Sequence, residues 1–357
     1  MKRWPYLKDL AVLSLAVILS GCYREQAPQQ QQPPPPPGYG QAYPPPAPYP
    51  PQGGYAPQPP PPPGAPPVQA QLPPPAPAPA PLPNIDVARD PINQMNFGFL
   101  RQRAGEVYSA LVAALQSQQQ SRVAAIPLVF DNEPGSVNAF AGCTSSGKSL
   151  VAVTDGLLDI QAHLAQARAT DEVFGTRKVD EYIQFVAQHQ APGAPVVQPP
   201  SGFFTQQQVY DPRKVARQHE VFEESVAFVL GHELAHHYLG HLPCTAGSGP
   251  LNTAEIGWAL SNAIPAFNQP NEMASDVSGT QNVLKAGRAR GGYQWTEGGG
   301  LLTMQFFSGM DQLSAADIIF GFERSHPPPQ IRVPIIQQTA HAWRNTGGVQ
   351  LPFPLPF

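Results

Sequence analysis

From residue 213 to residue 242 the chain contains no proline, although it holds 47 in its 357 residues. Within that run Val221, Phe222, Ser225, Val226, Phe228 and Val229 recur near helical spacing, so the segment reads as one long helix stopped by Pro243. It carries His232-Glu233-Leu234-Ala235-His236. Residues four apart share a helix face, so His232 and His236 can direct both imidazoles at a single ion, with Glu233 beside it. Two neutral imidazoles, an open position for water and a carboxylate to take the water's proton form the layout of zinc hydrolysis. The same pattern also arises by accident in helices without metal, so it does not decide the matter alone.

Zinc needs more ligands than this helix supplies. A third histidine ten residues after the first would stand at position 242, which is Leu242, so the ligand must come from elsewhere. The best candidate is Glu272, in Asn271-Glu272-Met273-Ala274-Ser275-Asp276, where Glu272 and Asp276 would again share a helix face. Asp276 could then accept the spare N–H of a ligating histidine and fix its tautomer. The blander reading of the acidic pair is a solvated helix face, and His237 and His241 read as solvated or structural.

At the start, Lys2, Arg3 and Lys8 precede an apolar run, residues 10–19, that is too short to span a bilayer and reads as part of a signal peptide, residues 1–21. It ends in Leu19-Ser20-Gly21-Cys22, which resembles the lipobox of bacterial lipoproteins. That resemblance implies a lipidated Cys22 and a chain held outside the cytoplasm. Tyr23 is not the Asp that favours inner-membrane retention, so the expected address is the outer membrane, facing the periplasm. The alternative is an ordinary signal peptide with an incidental cysteine.

Residues 27–83 hold most of the prolines and no charged residue. Such a composition cannot bury enough apolar surface to offset chain entropy, so residues 22–84 are expected to be a disordered, lipid-anchored tether. At about 3.1 Å per residue in polyproline II it could reach on the order of 150 Å. It could also touch the cell wall or another envelope protein. Residues 85–357 are then one folded domain with length enough for a substantial core. The net charge of −4 comes without a Lys/Arg-rich patch, which argues against nucleic acid.

The periodicities predict a helix over residues 96–120, short β-rich runs at 125–130, 136–141 and 149–153, and helices over 156–169 and 179–189. A Pro-rich surface loop is expected over 191–201, a short helical pair over 253–267, a helix over 273–286, and loop over 287–300. The fold class is therefore α+β, mainly helical with a small antiparallel sheet.

Five segments carry a family resemblance: Val137-Asn138-Ala139-Phe140-Ala141, Val153-Thr154-Asp155-Gly156-Leu157-Leu158, the His232 to His236 motif, Glu272 to Asp276, and Ser325-His326-Pro327-Pro328 through Arg332. Their order is similar to that in the HtpX and CAAX-prenyl-protease-like zinc metallopeptidases, a gluzincin-type fold. The resemblance implies one zinc per chain on His232, His236 and Glu272, with Glu233 as general base and Asp276 behind the ligands. It implies that Asn138, Ala139 and Phe140 form a sheet edge along which an extended or unfolded protein substrate lies, and that His326 reaches the site, as a catalytic group or a latency ligand. Arg332 is expected to be structural. The interval from His236 to Glu272 is too short for a membrane hairpin, and Ser275 replaces the alanine common before the aspartate.

Once Cys22 is assigned to lipid, Cys143 and Cys244 remain. In an oxidising compartment they suggest a disulfide, and the resemblance implies that their segments are neighbours; the alternative is two buried thiols. The expected function is a metalloendopeptidase of the bacterial cell envelope. The alternatives are a latent peptidase acting mainly as a chaperone or assembly factor of outer-membrane proteins, and a structural lipoprotein with architectural zinc.

Overall fold

A computed structural model describes residues 86–133, 135–246, 248–261, 269–313 and 326–349. The expected signal peptide, Cys22, the Pro-rich tether and the second half of the helical pair lie outside these residues. The described chain runs through α1 (Phe97–Ala114), α2 (Ser117–Val123), β1 (Leu128–Asp131), β2 (Ala139–Cys143), β3 (Ser149–Thr154), α3 (Asp155–Phe174), α4 (Lys178–His189) and α5 (Gln206–Val209). It continues through α6 (Pro212–Leu239), α7 (Thr253–Ser261), α8 (Gln269–Arg288), α9 (Gly298–Leu313) and α10 (Pro329–Asn345). None of these helices is long and apolar enough to cross a membrane.

The fold is mainly helical around α6, which packs against α1, α3, α8 and α9. Its ends are set locally. Asp211 accepts from the backbone N–H groups of Arg213 and Lys214, and Pro212, which has no N–H to satisfy, opens the first turn. At the other end the helix stops before Pro243, because Gly240 takes a left-handed φ of 79°. Phe222, Phe228, Leu230 and Leu234 are fully buried along its length, each contributing about 1.5–3 kcal/mol of burial.

The three-stranded sheet is mixed, not wholly antiparallel. Its order is β1-β3-β2, with β2 antiparallel to β3 and β1 parallel to it. The β2–β3 hairpin closes through Thr144 to Lys148, with Gly147 at φ 81°. β1 is not half of a hairpin: the segment after it carries the chain past β3, so β3 inserts between its neighbours and is buried at all six residues. The expected helix over 96–120 also divides, since Leu115 is extended and separates α1 from α2.

Two packing features place the site. Against one side of the sheet, Ala259 of α7 joins Val129, Leu150 and Ala152 in a small apolar cluster. Where α6 crosses α8, glycines meet: a Cβ on Gly279 would lie 2.8 Å from the His232 backbone nitrogen. Without side chains at this crossing the two backbones approach closely, which brings the first turns of α8 under His232.

Candidate metal centre

The helical spacing of α6 turns His232 and His236 to one side, and α8 presents Glu272 and Asp276 one turn apart. His232 Nε2 and His236 Nε2 are 3.2 Å apart, Glu272 Oε2 is 3.2 Å from the first and Glu272 Oε1 is 3.3 Å from the second. All three side chains are buried. A tetrahedron with ligand bonds of about 2.0–2.1 Å has edges of about 3.3 Å, which is close to the separation of the two imidazole nitrogens and of each nitrogen from one oxygen of Glu272. The chemistry fits too: two imidazole nitrogens and a carboxylate, the ligand types that zinc takes, converge on one point.

Behind this triangle His232 Nδ1 lies 2.9 Å from Asp276 Oδ1. Arg332 of α10 clamps the same carboxylate, its Nη2 donating to Oδ1 at 2.7 Å and its Nε to Oδ2 at 3.0 Å. Arg332, expected to be merely structural, therefore closes the network. Burial and the Arg332 charge oppose a proton on His232, yet the hydrogen bond and charge of Asp276, with Glu272, lift the imidazole to about 9. That field favours a metal cation at Nε2 for the same reason. Burial would raise Asp276, but Arg332 and His232 hold it far below the usual carboxylate range. Burial, then the charge of His232, pushes His236 far down, so it presents a lone pair. Glu272, despite its burial, is lowered by His232 and stays ionised.

Glu233 points between the metal triangle and the sheet. Its Oε2 accepts from the Ala141 N–H at 2.8 Å, and its Oε1 is 3.1 Å from His326 Nε2. His326 is buried and also lies 3.8 Å from Glu272 Oε2, so the structure brings this distant residue into the same cluster. In the β2–β3 ladder Thr154 donates to Asn138 and Thr144 to Lys148, so the alternation turns the main chains of Ala139, Ala141 and Cys143 away from β3. Of the residues expected along the substrate edge, Ala139 has that orientation. Asn138 and Phe140 face their backbone groups to β3, and Ala141 takes their place beside Glu233.

A family model, peptidase family M48, matches residues 101–340. The chain belongs to peptidase family M48. Searches of the curated proteins and of the solved structures found no match. Membership makes the chain a metallopeptidase, and M48 peptidases are typically zinc-dependent. The matched region holds every residue of the cluster just described.

In this M48 domain Cys143 and Cys244 are joined by a disulfide, with Cα atoms 5.3 Å apart. The bridge ties the end of β2 to the turn after α6, beside a backbone bond from Ala246 to Gly147 O at 3.0 Å. Two further partners escaped the sequence reading. Ala141 contributes only its backbone, which no side-chain pattern can announce. His241, read as solvated or structural, has its Nδ1 3.2 Å from His236 Nδ1. Its signal was Gly240, which ends the helix one residue earlier and turns the chain back. His237 does take a structural contact, its Nε2 2.8 Å from Leu150 O.

Proposed function

We propose that this M48 metallopeptidase is a zinc-dependent endopeptidase of the bacterial cell envelope, with His232, His236 and Glu272 holding the metal and Glu233 acting as general base. The single observation that carries this reading is the convergence of His232, His236 and Glu272, the two imidazole nitrogens 3.2 Å apart and each 3.2–3.3 Å from one oxygen of Glu272, beside the buried Glu233 carboxylate. Zinc held there supplies Lewis acidity and can bring a water's pKa from 15.7 to about 7. Glu233 takes the water's proton and returns it to the leaving amine, a role typically worth about 10²–10⁴-fold. An extended substrate strand lies along the outward groups of β2 by strand addition, displacing the Ala141 N–H from Glu233 to pair with the substrate main chain. His326 is placed to donate to the oxyanion, where one lost donor costs about 3 kcal/mol.

The contact between His326 and Glu233 also supports a second reading, a latent peptidase whose base is engaged until a partner or substrate withdraws His326. The two make opposite forecasts for one assay. In casein-type proteolysis with parallel metal analysis, Glu233→Gln keeps zinc and loses activity under either. His326→Ala lowers activity if His326 is catalytic and raises it if the site is latent. A Glu233→Gln protein that cleaves unfolded protein as fast as wild type would falsify the mechanism.

The envelope address rests on the lipobox-like Leu19-Ser20-Gly21-Cys22 and on the Pro-rich segment as a tether to the outer membrane. The intact mass of the membrane-extracted protein tests it: an N-terminus at Cys22 carrying acyl groups is expected, and an unmodified Cys22 removes the anchor. Envelope protein quality control fits a lipid-held peptidase that accepts extended chains.

A further inference from the structure

The two metal-facing imidazoles need the same thing from behind: a partner that keeps Nδ1 protonated, so that Nε2 keeps its lone pair for the metal. For His232 that partner is Asp276. For His236 no carboxylate stands there among the described residues. What stands there is His241, with the two Nδ1 atoms 3.2 Å apart and the rings edge to face at 75°.

This approach is built by the end of α6. The His241 N–H donates to His236 O at 2.9 Å and the Gly240 N–H to His237 O at 3.1 Å. That nested pair around a left-handed glycine is the Schellman ending, in which the residue after the glycine folds back over the last full turn. Such contacts usually join apolar side chains; here they join two imidazoles. Had the helix continued, a residue five positions on would lie well off the face of His236. From the α8 side, Ser275 Oγ is 3.3 Å from the same His241 nitrogen and brackets the ring. Ser275 is fully buried.

We infer that His241 is a positioning residue for the metal: a neutral imidazole whose Nδ1 accepts the Nδ1–H of His236 and fixes its tautomer and ring orientation. Its own proton then sits on Nε2. The assignment comes from the facing atoms, since two Nδ1 atoms at this separation share one proton, and the metal-facing imidazole must carry it. The inference rests on the metal centre proposed above.

The test is the zinc affinity of the full mature protein, measured by competition with a chromophoric chelator, for wild type, His236→Ala, His241→Ala, His241→Leu and His241→Asn. Asparagine places an acceptor oxygen near the position of Nδ1, whereas leucine fills similar space without one. Replacing such a partner typically weakens metal binding about 10–100-fold. The expected result is a loss of that order for His241→Ala and His241→Leu, with His241→Asn within about threefold of wild type. If the Ala and Leu variants bind zinc as wild type does, or if Asn is no better than Leu, the inference is overturned. If wild type itself binds no zinc, or if His236→Ala binds as well as wild type, the failure is that of the metal centre.

Discussion

The two imidazoles that face each other across the proposed metal centre are held from behind by unlike structures. Behind His232 stands an ion pair, Asp276 with Arg332, contributed by α8 and α10 and buried to within 1% of full exclusion from solvent. Behind His236 stands His241, on a partly exposed turn and bracketed by Ser275. The first support is also part of what docks α8 and α10 on each other, so it cannot be loosened while the core stays intact. The second is only a chain reversal. One half of a metal site can thus be welded into a fold while the other is left adjustable at its surface.

The contrast is under greatest strain at Arg332. Arg332→Leu leaves Asp276 buried without its cation, and removing one partner of such a pair typically destabilises by about 3–5 kcal/mol. Thermal unfolding in excess chelator should show that loss, whereas His241→Ala under the same conditions should fall by less than about 1 kcal/mol. If both variants unfold alike in the chelated state, the two supports are not different in kind.

The disulfide offers the next largest effect. Cys143 and Cys244 are 101 residues apart in sequence, and removing a link of this kind typically destabilises by about 2–4 kcal/mol. Cys244 stands three residues after His241, so the bridge pins the turn behind His236 as well as the end of β2. The Cys143→Ser/Cys244→Ser double variant should therefore lose zinc affinity beyond what its urea-unfolding midpoint explains. An unchanged zinc affinity would mean that the turn holds itself and that the bridge serves the sheet edge alone.

The sequence announced the His232 side of the metal centre and concealed the other. His232, His236, Glu272 and Asp276 share two short motifs in which spacing alone sets the face, because a helix repeats regularly. The parallel pairing of β1 was not legible, since strand periodicity reports burial and not which neighbour a strand joins. Nor was the start of α9. Gly298, Gly299 and Gly300 read as loop, yet a Cβ on Gly299 would come within 2.4 Å of the α6 backbone at Glu224, so the glycines allow a helix to lie against α6. Glu224 anchors that junction by accepting from Tyr293 and from the Thr296 backbone and hydroxyl. His241 was concealed because its role depends on where the helix ends. Pro243 reads as the stop, while Gly240 is the true one.

That ending provides the smallest and most discriminating test. Gly240 has φ 79° with open space around a would-be Cβ, and Gly175, which ends α3, has φ 67° with equally open space. Alanine at either position meets no atom and suffers only the left-handed backbone, about 1 kcal/mol, or roughly 2–4 °C in Tm for a domain of this size. On stability alone the two substitutions should be indistinguishable. They differ in the residue that comes next: Thr176 after one glycine, His241 after the other. If the turn is what carries His241 to His236, Gly240→Ala should lower zinc affinity and Gly175→Ala should leave it unchanged. Equal zinc affinities at matched Tm would show that His241 reaches its place through Ser275 and the bridge at Cys244, and that the backbone reversal is incidental to the metal.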